Sequence, residues 1–492
     1  MSDREARRLA SVALAAGVLT ASTLGAGNGI LGTRLLGAQE AGIEGRWEGA
    51  LTILGQELGF SVEFTRADGE ISAKMDIPVQ QAMNLDLINV SEQGAKVHFE
   101  LQAGPGLAVW DGVREGEAIE GDFMQGGARG TFRIARGEAA KSSEPAEAGE
   151  PNGEPLPYRQ EELTFENGDV HLEGTLTLPD MEGPFPAVVM VTGSGAQNRD
   201  EELFGFQPFR VIADHLTRDG IAVFRYDDRG VGGSTGNTAL STTSDVADDA
   251  LLAIARLATH DEIDGERIGI IGHSEGGVVA PLAATRSASV AFVVLLAGTS
   301  VPGDEVIYEQ LAAIGRASGE DEEKIAESLD LQHRIFAALE RGEDLKSFAG
   351  EIEAAIRKGI EDTSPEEREM IADVDEFVAS QVKGQLAGIQ TPWFKYFLSH
   401  DPAVALRQTR VPVLALFGEL DKQVTPSQNR GPMAEALSGN PDVTINVLPD
   451  ANHLFLKAVT GSPDEYATMD KTFVPGFLDL ITDWIEQHTA KL

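Results

Sequence analysis

From residue 43 to residue 136, apolar and polar positions alternate in short runs, each closed by a glycine turn. Trp47-Glu48-Gly49-Ala50-Leu51-Thr52-Ile53, Phe60-Ser61-Val62-Glu63-Phe64, Lys96 through Leu101 and Gly130 through Ile134 carry the pattern. A period of two puts successive side chains on opposite faces, so the stretch predicts an antiparallel meander or small β-barrel. Ile43-Glu44-Gly45-Arg46-Trp47 is echoed by Ile119-Glu120-Gly121-Asp122-Phe123, as if one strand start were used twice. A small barrel can hold a lipid or act as a docking module, and the lack of a polar site here favours docking. Residues 137–157 have a Glu/Pro/Gly/Ser composition with almost nothing to bury, which predicts a disordered linker and a domain boundary.

Beyond the linker the rhythm changes. A hairpin is expected from Glu162–Phe165 and Val170–Leu178 across Asn167-Gly168. Continuous apolar runs then predict buried strands at Ala187–Val191, Ala222–Tyr226, Arg267–Ile271, Ala291–Leu296, Val413–Phe417 and Val443–Leu448. Amphipathic stretches at Phe209–Arg218, Val246–Thr259, Gly277–Arg286 and Phe477–Gln487 predict helices between them. Strands alternating with helices mean an α/β fold with a mostly parallel sheet over residues 158–492. The interval from about 302 to 400 is strand-poor and helical in period, and reads as a helical cap over the carboxyl edge of that sheet. At the other end, Arg4, Arg7 and Arg8 precede a small-residue apolar run from Leu9 to about Leu24. This predicts a signal peptide over residues 1–38 and export to the periplasm or the exterior. No other run is long enough to span a membrane.

Composition narrows the function. Acidic residues outnumber basic ones 79 to 39 in 492 residues, a formal net charge of -40. Such a field repels phosphate backbones and argues against nucleic-acid binding. With Cys at 0 there is no thiol nucleophile and no thiolate metal site. No H-E-x-x-H spacing occurs, and Gly230-Val231-Gly232-Gly233-Ser234-Thr235 lacks the last glycine of a dinucleotide loop. Neither a metal nor a cofactor is expected. Asp227, Asp228 and Arg229, just before that loop, are expected to brace the neighbourhood of the site.

The pattern G-x-S-x-G occurs twice. Gly232-Gly233-Ser234-Thr235-Gly236 lies in a polar loop, whereas Gly272-His273-Ser274-Glu275-Gly276 joins a predicted strand directly to an apolar helix. A strand–turn–helix this tight excludes Cβ atoms at its flanks and lifts the serine over the sheet, so Ser274 is the candidate nucleophile. A serine hydroxyl needs a base, and the base needs an orienting acid. Asp421 and His453 each follow a predicted strand, giving the chain order Ser…Asp…His; Glu419 and Asp450 are rival acids. An oxyanion hole would take the N–H of Glu275 and one from Thr192-Gly193-Ser194-Gly195-Ala196-Gln197, with Ser194 as the choice. Trp393, Phe394 and Phe397 cluster in Thr-Pro-Trp-Phe-Lys-Tyr-Phe-Leu, either as an acyl-pocket wall or as cap packing.

Residues 158–492 resemble the α/β-hydrolase superfamily, above all bacterial esterases and serine-aminopeptidase-like (S33) members with a helical cap. The resemblance rests on Val-Thr-Gly-Ser-Gly (191–195), Tyr-Asp-Asp-Arg-Gly-Val-Gly-Gly-Ser (226–234), Gly-His-Ser-Glu-Gly-Gly (272–277), Phe-Gly-Glu-Leu-Asp (417–421) and Ala-Asn-His (451–453). Thr192-Gly193 stands where members often carry His-Gly, and residues 43–136 are similar to a β-rich domain that precedes some of these esterases. The leading expectation is a serine hydrolase that cleaves small-molecule carboxylic esters of short to medium acyl chains. A serine peptidase of aminopeptidase type, taking a short peptide, is the rival. A non-catalytic binding protein on a hydrolase frame is the third. Serine at position 274 argues against a dehalogenase, which would want aspartate there.

Overall fold

The computed structural model describes residues 43–490, apart from 54–55, 68–69, 78–81, 104–105, 126–127, 137–155, 204, 363–367, 369–370, 372 and 467. The expected signal segment and nearly all of the expected linker lie outside the described residues. The chain divides into two compact units. One comprises Met1–Glu147, Leu203–Gly205 and Asp344–Gly388; the other comprises Ala148–Glu202, Phe206–Glu343 and Ile389–Leu492.

Nine antiparallel strands form the sheet of the first unit: β1 (Gly45–Ile53), β2 (Gln56–Ala67), β3 (Glu70–Ile77), β4 (Ala82–Asp86), β5 (Ile88–Gln93), β6 (Lys96–Ala103), β7 (Gly106–Glu115), β8 (Ala118–Gln125) and β9 (Ala128–Arg136). Their order is β4-β3-β2-β1-β9-β8-β7-β6-β5, and the N–H of Leu87 reaches the Ala73 carbonyl, so the sheet curls almost into a barrel. The alternation explains the curl: Trp47 and Leu51 are buried, while Arg46 and Glu48 face out and pair with each other. The interior is filled with rings. Trp110 stacks on Phe99 at 5.2 Å and meets Phe123 at 4.8 Å, with Phe60, Phe64 and Phe132 around them. Each buried ring of this kind contributes about 1.5–3 kcal/mol. Two helices of this unit, α6 (Ala349–Asp362) and α7 (Val374–Gly388), are joined by Arg357, which pairs with Asp375 at 2.6 Å.

The second unit is built on β10 (Tyr158–Asn167), β11 (Val170–Pro179), β12 (Phe185–Val191), β13 (Ala222–Tyr226), β14 (Ile263–His273), β15 (Val293–Leu296), β16 (Val413–Gly418) and β17 (Val443–Leu448). The order is β10-β11-β13-β12-β14-β15-β16-β17; β10 and β11 pair antiparallel, and every pairing from β13 to β17 is parallel. The expected α/β layout with a mostly parallel sheet is present. β14 starts earlier than its apolar run does. Ile263 already pairs with Phe185, and a register shift before Ala187 interrupts the pattern at Asp264-Gly265-Glu266.

Helices cover both faces. α1 (Pro208–Arg218) buries Phe209, Ile212, Ala213 and Leu216, the 3-4 spacing of one helical stripe, and joins α11 (Phe477–Thr489) on one face. α2 (Thr243–Leu257), started by a capping box between Thr242 and Asp245, packs with α3 (Gly276–Arg286) on the other. α9 (Pro402–Gln408) and α10 (Pro426–Ala436) lie on that same face. The stretch between β15 and β16 is helical as expected, but it is shared between the units. α4 (Gly303–Ala317), α5 (Glu322–Glu340) and α8 (Pro392–Ser399) belong with the eight-stranded sheet, joined by the rings of Tyr308, Phe336 and Phe394. Among the described residues no helix is long and apolar enough to cross a membrane.

The sheet order places the site. The chain runs from β12 to β13 on one side, then crosses to β14 on the other. The carboxyl ends of β12 and β14 therefore flank the point where the winding reverses, the crevice that open α/β sheets use for ligands.

Candidate active site

β14 ends at His273, and Ser274 turns the chain into α3 with φ 52°, a left-handed conformation rarely adopted by a residue bearing Cβ. Its N–H is held by the Leu296 carbonyl at 2.8 Å, and Gly277 closes the turn onto the Ser274 carbonyl at 3.0 Å. The flanking glycines are sterically required. A Cβ at Gly272 would stand 1.9 Å from the Gly276 oxygen, and one at Gly276 would stand 2.2 Å from the Val191 oxygen. Gly272→Ala is therefore expected to cost at least about 2 kcal/mol, because the contact is backbone and cannot swing away. Urea unfolding would show this as a lowered midpoint at unchanged slope. The other copy of the pattern is structural: the Ser234 hydroxyl donates to the Asp227 carbonyl at 2.8 Å and accepts the Glu173 N–H at 3.0 Å.

Asp421 and His453 are together. The His453 Nδ1–H donates to Asp421 Oδ2 at 2.8 Å, and both residues are buried. The other carboxylate oxygen, Oδ1, accepts the N–H groups of Gln423 (2.7 Å) and Val424 (2.9 Å), which fix the carboxylate plane. Of the rival acids, Glu419 accepts the backbone N–H of Asp450 at 3.2 Å in an exposed contact, whereas the His453 ring is bonded to Asp421. Asn452, fully buried, receives the N–H groups of Leu454 and Leu456 on its side-chain oxygen and shapes the loop that carries His453.

Ser274 Oγ makes no hydrogen bond to His453. The two segments are brought together by His273, whose ring lies 4.7 Å from that of His453 and whose Nε2–H donates to the His453 carbonyl at 3.0 Å. On its other side the His273 Nδ1–H donates to Glu201 Oε1 at 2.8 Å. Neither His273 nor Glu201 was singled out from the sequence, although His273 lies within the serine motif and Glu201 within the polar run 198–202.

The turn after β12 lies against the serine: a Cβ on Gly193 would stand 3.2 Å from that of Ser274. Asp228 braces this turn by accepting the Thr192 hydroxyl and the Gln197 N–H, both at 2.9 Å. Asp227 receives Arg199 at 2.7 Å, and Arg229 pairs with Asp249 at 2.6 Å, so the acidic-basic run is a brace as expected. The Gly193 N–H is taken by Glu201 Oε1 at 2.7 Å. Among the described residues, the N–H groups of Ser194 and Glu275 are engaged by no protein acceptor.

The Glu275 side chain points away from solvent. It accepts the Thr243 hydroxyl at 2.6 Å and the Trp393 indole N–H at 2.9 Å, and burial lifts its carboxyl above the ordinary range. Trp393 stacks on Phe397 at 5.6 Å and, with Thr192, Gly193, Gly195, Tyr226 and Glu275, lines a cavity of about 20 Å³. That volume suits about one water. Phe394, one position along α8, is buried against Phe336 and does not line the cavity.

A family model described as "Serine aminopeptidase, S33" matches residues 207–458, a span holding Ser274, Asp421 and His453. Esterase EstD of Thermotoga maritima is 32% identical over 315 residues, covering 63% of this chain and 65% of that protein. The chain thus spans a little under two thirds of that relative's length. Among solved structures, the Pyrococcus furiosus esterase Pf2001 is 16% identical at a TM-score of 0.40, covering 68% of this chain and 91% of that one. Proline iminopeptidase of Mycobacterium smegmatis is 16% identical at a TM-score of 0.40, covering 67% and 98%. With the family match running over more than half of its residues, the chain belongs to the S33 serine aminopeptidase family.

Proposed function

We propose that the protein is a serine hydrolase that cleaves carboxylic esters of short to medium acyl chains. His453 takes the proton of Ser274 as the serine attacks the ester carbonyl, and Asp421 holds the imidazole tautomer and steadies the cation that forms. The N–H groups of Glu275 and Ser194 receive the oxyanion. The alcohol then leaves with the proton from His453, and water activated by the same imidazole releases the acid. The observation that carries this reading is the buried Asp421–His453 pair, seated against the residue that precedes the serine.

The ester reading is preferred to the aminopeptidase one because a substrate amine needs an unengaged carboxylate. The acids that line the cavity are already occupied: Asp228 by Thr192 and Gln197, Asp249 by Arg229 and Asn167, Glu275 by Thr243 and Trp393. EstD, an esterase by name, supports the same side. The test offers p-nitrophenyl esters and aminoacyl-nitroanilides side by side, with fluorophosphonate labelling. Ester turnover is expected. Preferred anilide cleavage would mean a peptidase, and neither turnover nor labelling would mean a binding protein.

Trp393 closes the cavity beside the oxyanion turn, so it limits acyl length in this reading. Trp393→Ala is expected to raise the octanoate-to-acetate ratio of kcat/KM by about tenfold or more, the scale on which apolar pockets discriminate chain length. Paired assays on the two p-nitrophenyl esters check it.

A further inference from the structure

Three segments meet at Ser274, and one buried chain of hydrogen bonds runs through all of them. Gly193 in the oxyanion turn donates its N–H to Glu201 Oε1; the same oxygen accepts the His273 Nδ1–H; the His273 Nε2–H ends on the His453 carbonyl. Each link constrains the protonation of the next. A backbone carbonyl only accepts, so Nε2 must carry a proton. An ionised carboxylate only accepts, so with Glu201 charged its Oε1 takes the Gly193 N–H and the Nδ1–H together. Both ring nitrogens are then protonated and His273 is a cation, matched by the carboxylate of Glu201. His273 and Glu201 are both 6% exposed, and a buried charge persists only where it is paired and hydrogen-bonded at every donor, as this one is.

We propose that His273, held as an imidazolium by Glu201, is the positioning residue that fixes the His453 loop and the oxyanion turn against the serine elbow. The proposal rests on the hydrolase reading and adds a group that touches no substrate. Glu201 bears φ 51°, a strained conformation retained for a side chain that has this task. Burial pulls His273 toward the neutral form, and Glu201, the His453 carbonyl and Asp421 outweigh it in the other direction. The groups that face its ring are therefore an anion and a carbonyl in direct contact, the His453 ring at 4.7 Å, and Asp421 behind that ring.

Glu201→Gln isolates the role. Its amide presents either oxygen or nitrogen at the place where one oxygen now serves two donors. Oxygen there keeps Gly193 but demands Nδ1–H from a ring that has lost its counter-charge, so a neutral His273 releases the His453 carbonyl. Nitrogen there satisfies Nδ1 and leaves the Gly193 N–H without an acceptor. One segment comes loose either way. The expected result is a kcat lower by about 10–100-fold with KM within about threefold, the scale of loss from small misplacement of reacting groups. Glu201→Asp, which keeps the charge, recovers part of the loss, whereas a merely space-filling contact would favour the equal-sized glutamine over aspartate.

The companion measurement needs no substrate: ¹⁵N-resolved NMR of the nine histidine rings in the full chain. One ring with both nitrogens protonated at pH 8, converting to a neutral tautomer in Glu201→Gln, is the expected outcome. A neutral His273 at pH 8 in the wild type, or a ring still doubly protonated in the variant, would overturn the proposal. Wild-type protein inert toward every ester would sink the ester reading alone, since the protonation of the ring is read independently of turnover.

Discussion

Ser274→Ala is expected to lower kcat toward p-nitrophenyl butyrate by about 10³–10⁶-fold, since a serine and its histidine act as a unit and losing one loses both. KM should change little, because the hydroxyl contributes to the transition state rather than to binding. The fold should be indifferent. Ser274 Oγ makes no hydrogen bond to His453, and the turn is held by the Ser274 N–H and carbonyl, which alanine retains. Alanine at φ 52° bears the same backbone strain as serine, so the unfolding free energies should agree within about 0.5 kcal/mol. Stopped assays at high enzyme concentration reach the low rates needed, and fluorophosphonate labelling should vanish together with turnover. Residual activity within tenfold of the parent would place the nucleophile elsewhere.

Asp421→Asn should cost nearly as much, about 10⁴-fold in kcat, through the wrong tautomer of the base rather than through lost contact. The geometry forces this. Asp421 Oδ1 is bound by two backbone N–H groups, so in asparagine the amide oxygen takes that place and its NH2 turns to His453. An NH2 donates to Nδ1, the proton moves to Nε2, and the nitrogen that should receive the serine proton is already occupied. Glu419→Gln, which alters only the exposed contact with the Asp450 N–H, and Asp450→Asn, which keeps that N–H, should stay within about twofold of the parent. Activity that survives Asp421→Asn and falls in Glu419→Gln would reassign the acid.

Much of this was legible in the sequence because its causes are local. Glycine at 272 and 276 records a turn that cannot accept Cβ, and apolar runs record strands buried on both faces. Asp421 and His453 could be named because each follows a strand whose carboxyl end points to the site. What escaped notice depends on distant partners. His273 meets acceptors 72 and 180 residues away, and no short pattern announces either meeting. Aromatic density brought Trp393, Phe394 and Phe397 forward together, yet adjacent residues on a helix point about 100° apart. Trp393 accordingly faces Glu275 and the cavity, while Phe394 faces Phe336. The sharing of the cap between two units was hidden as well, since charged helices with similar apolar stripes give no sign of what they pack against.

The chain from Gly193 through Glu201 and His273 to the His453 carbonyl also governs how the molecule fails when heated. Loops on separate strand ends ordinarily loosen one by one, each at its own temperature. Here the turn at 193 and the loop at 453 share a single buried link, so neither can drift while the other stays in register. Thermal inactivation is then one event rather than a gradual fading, and the enzyme keeps full competence almost to the point at which it has none.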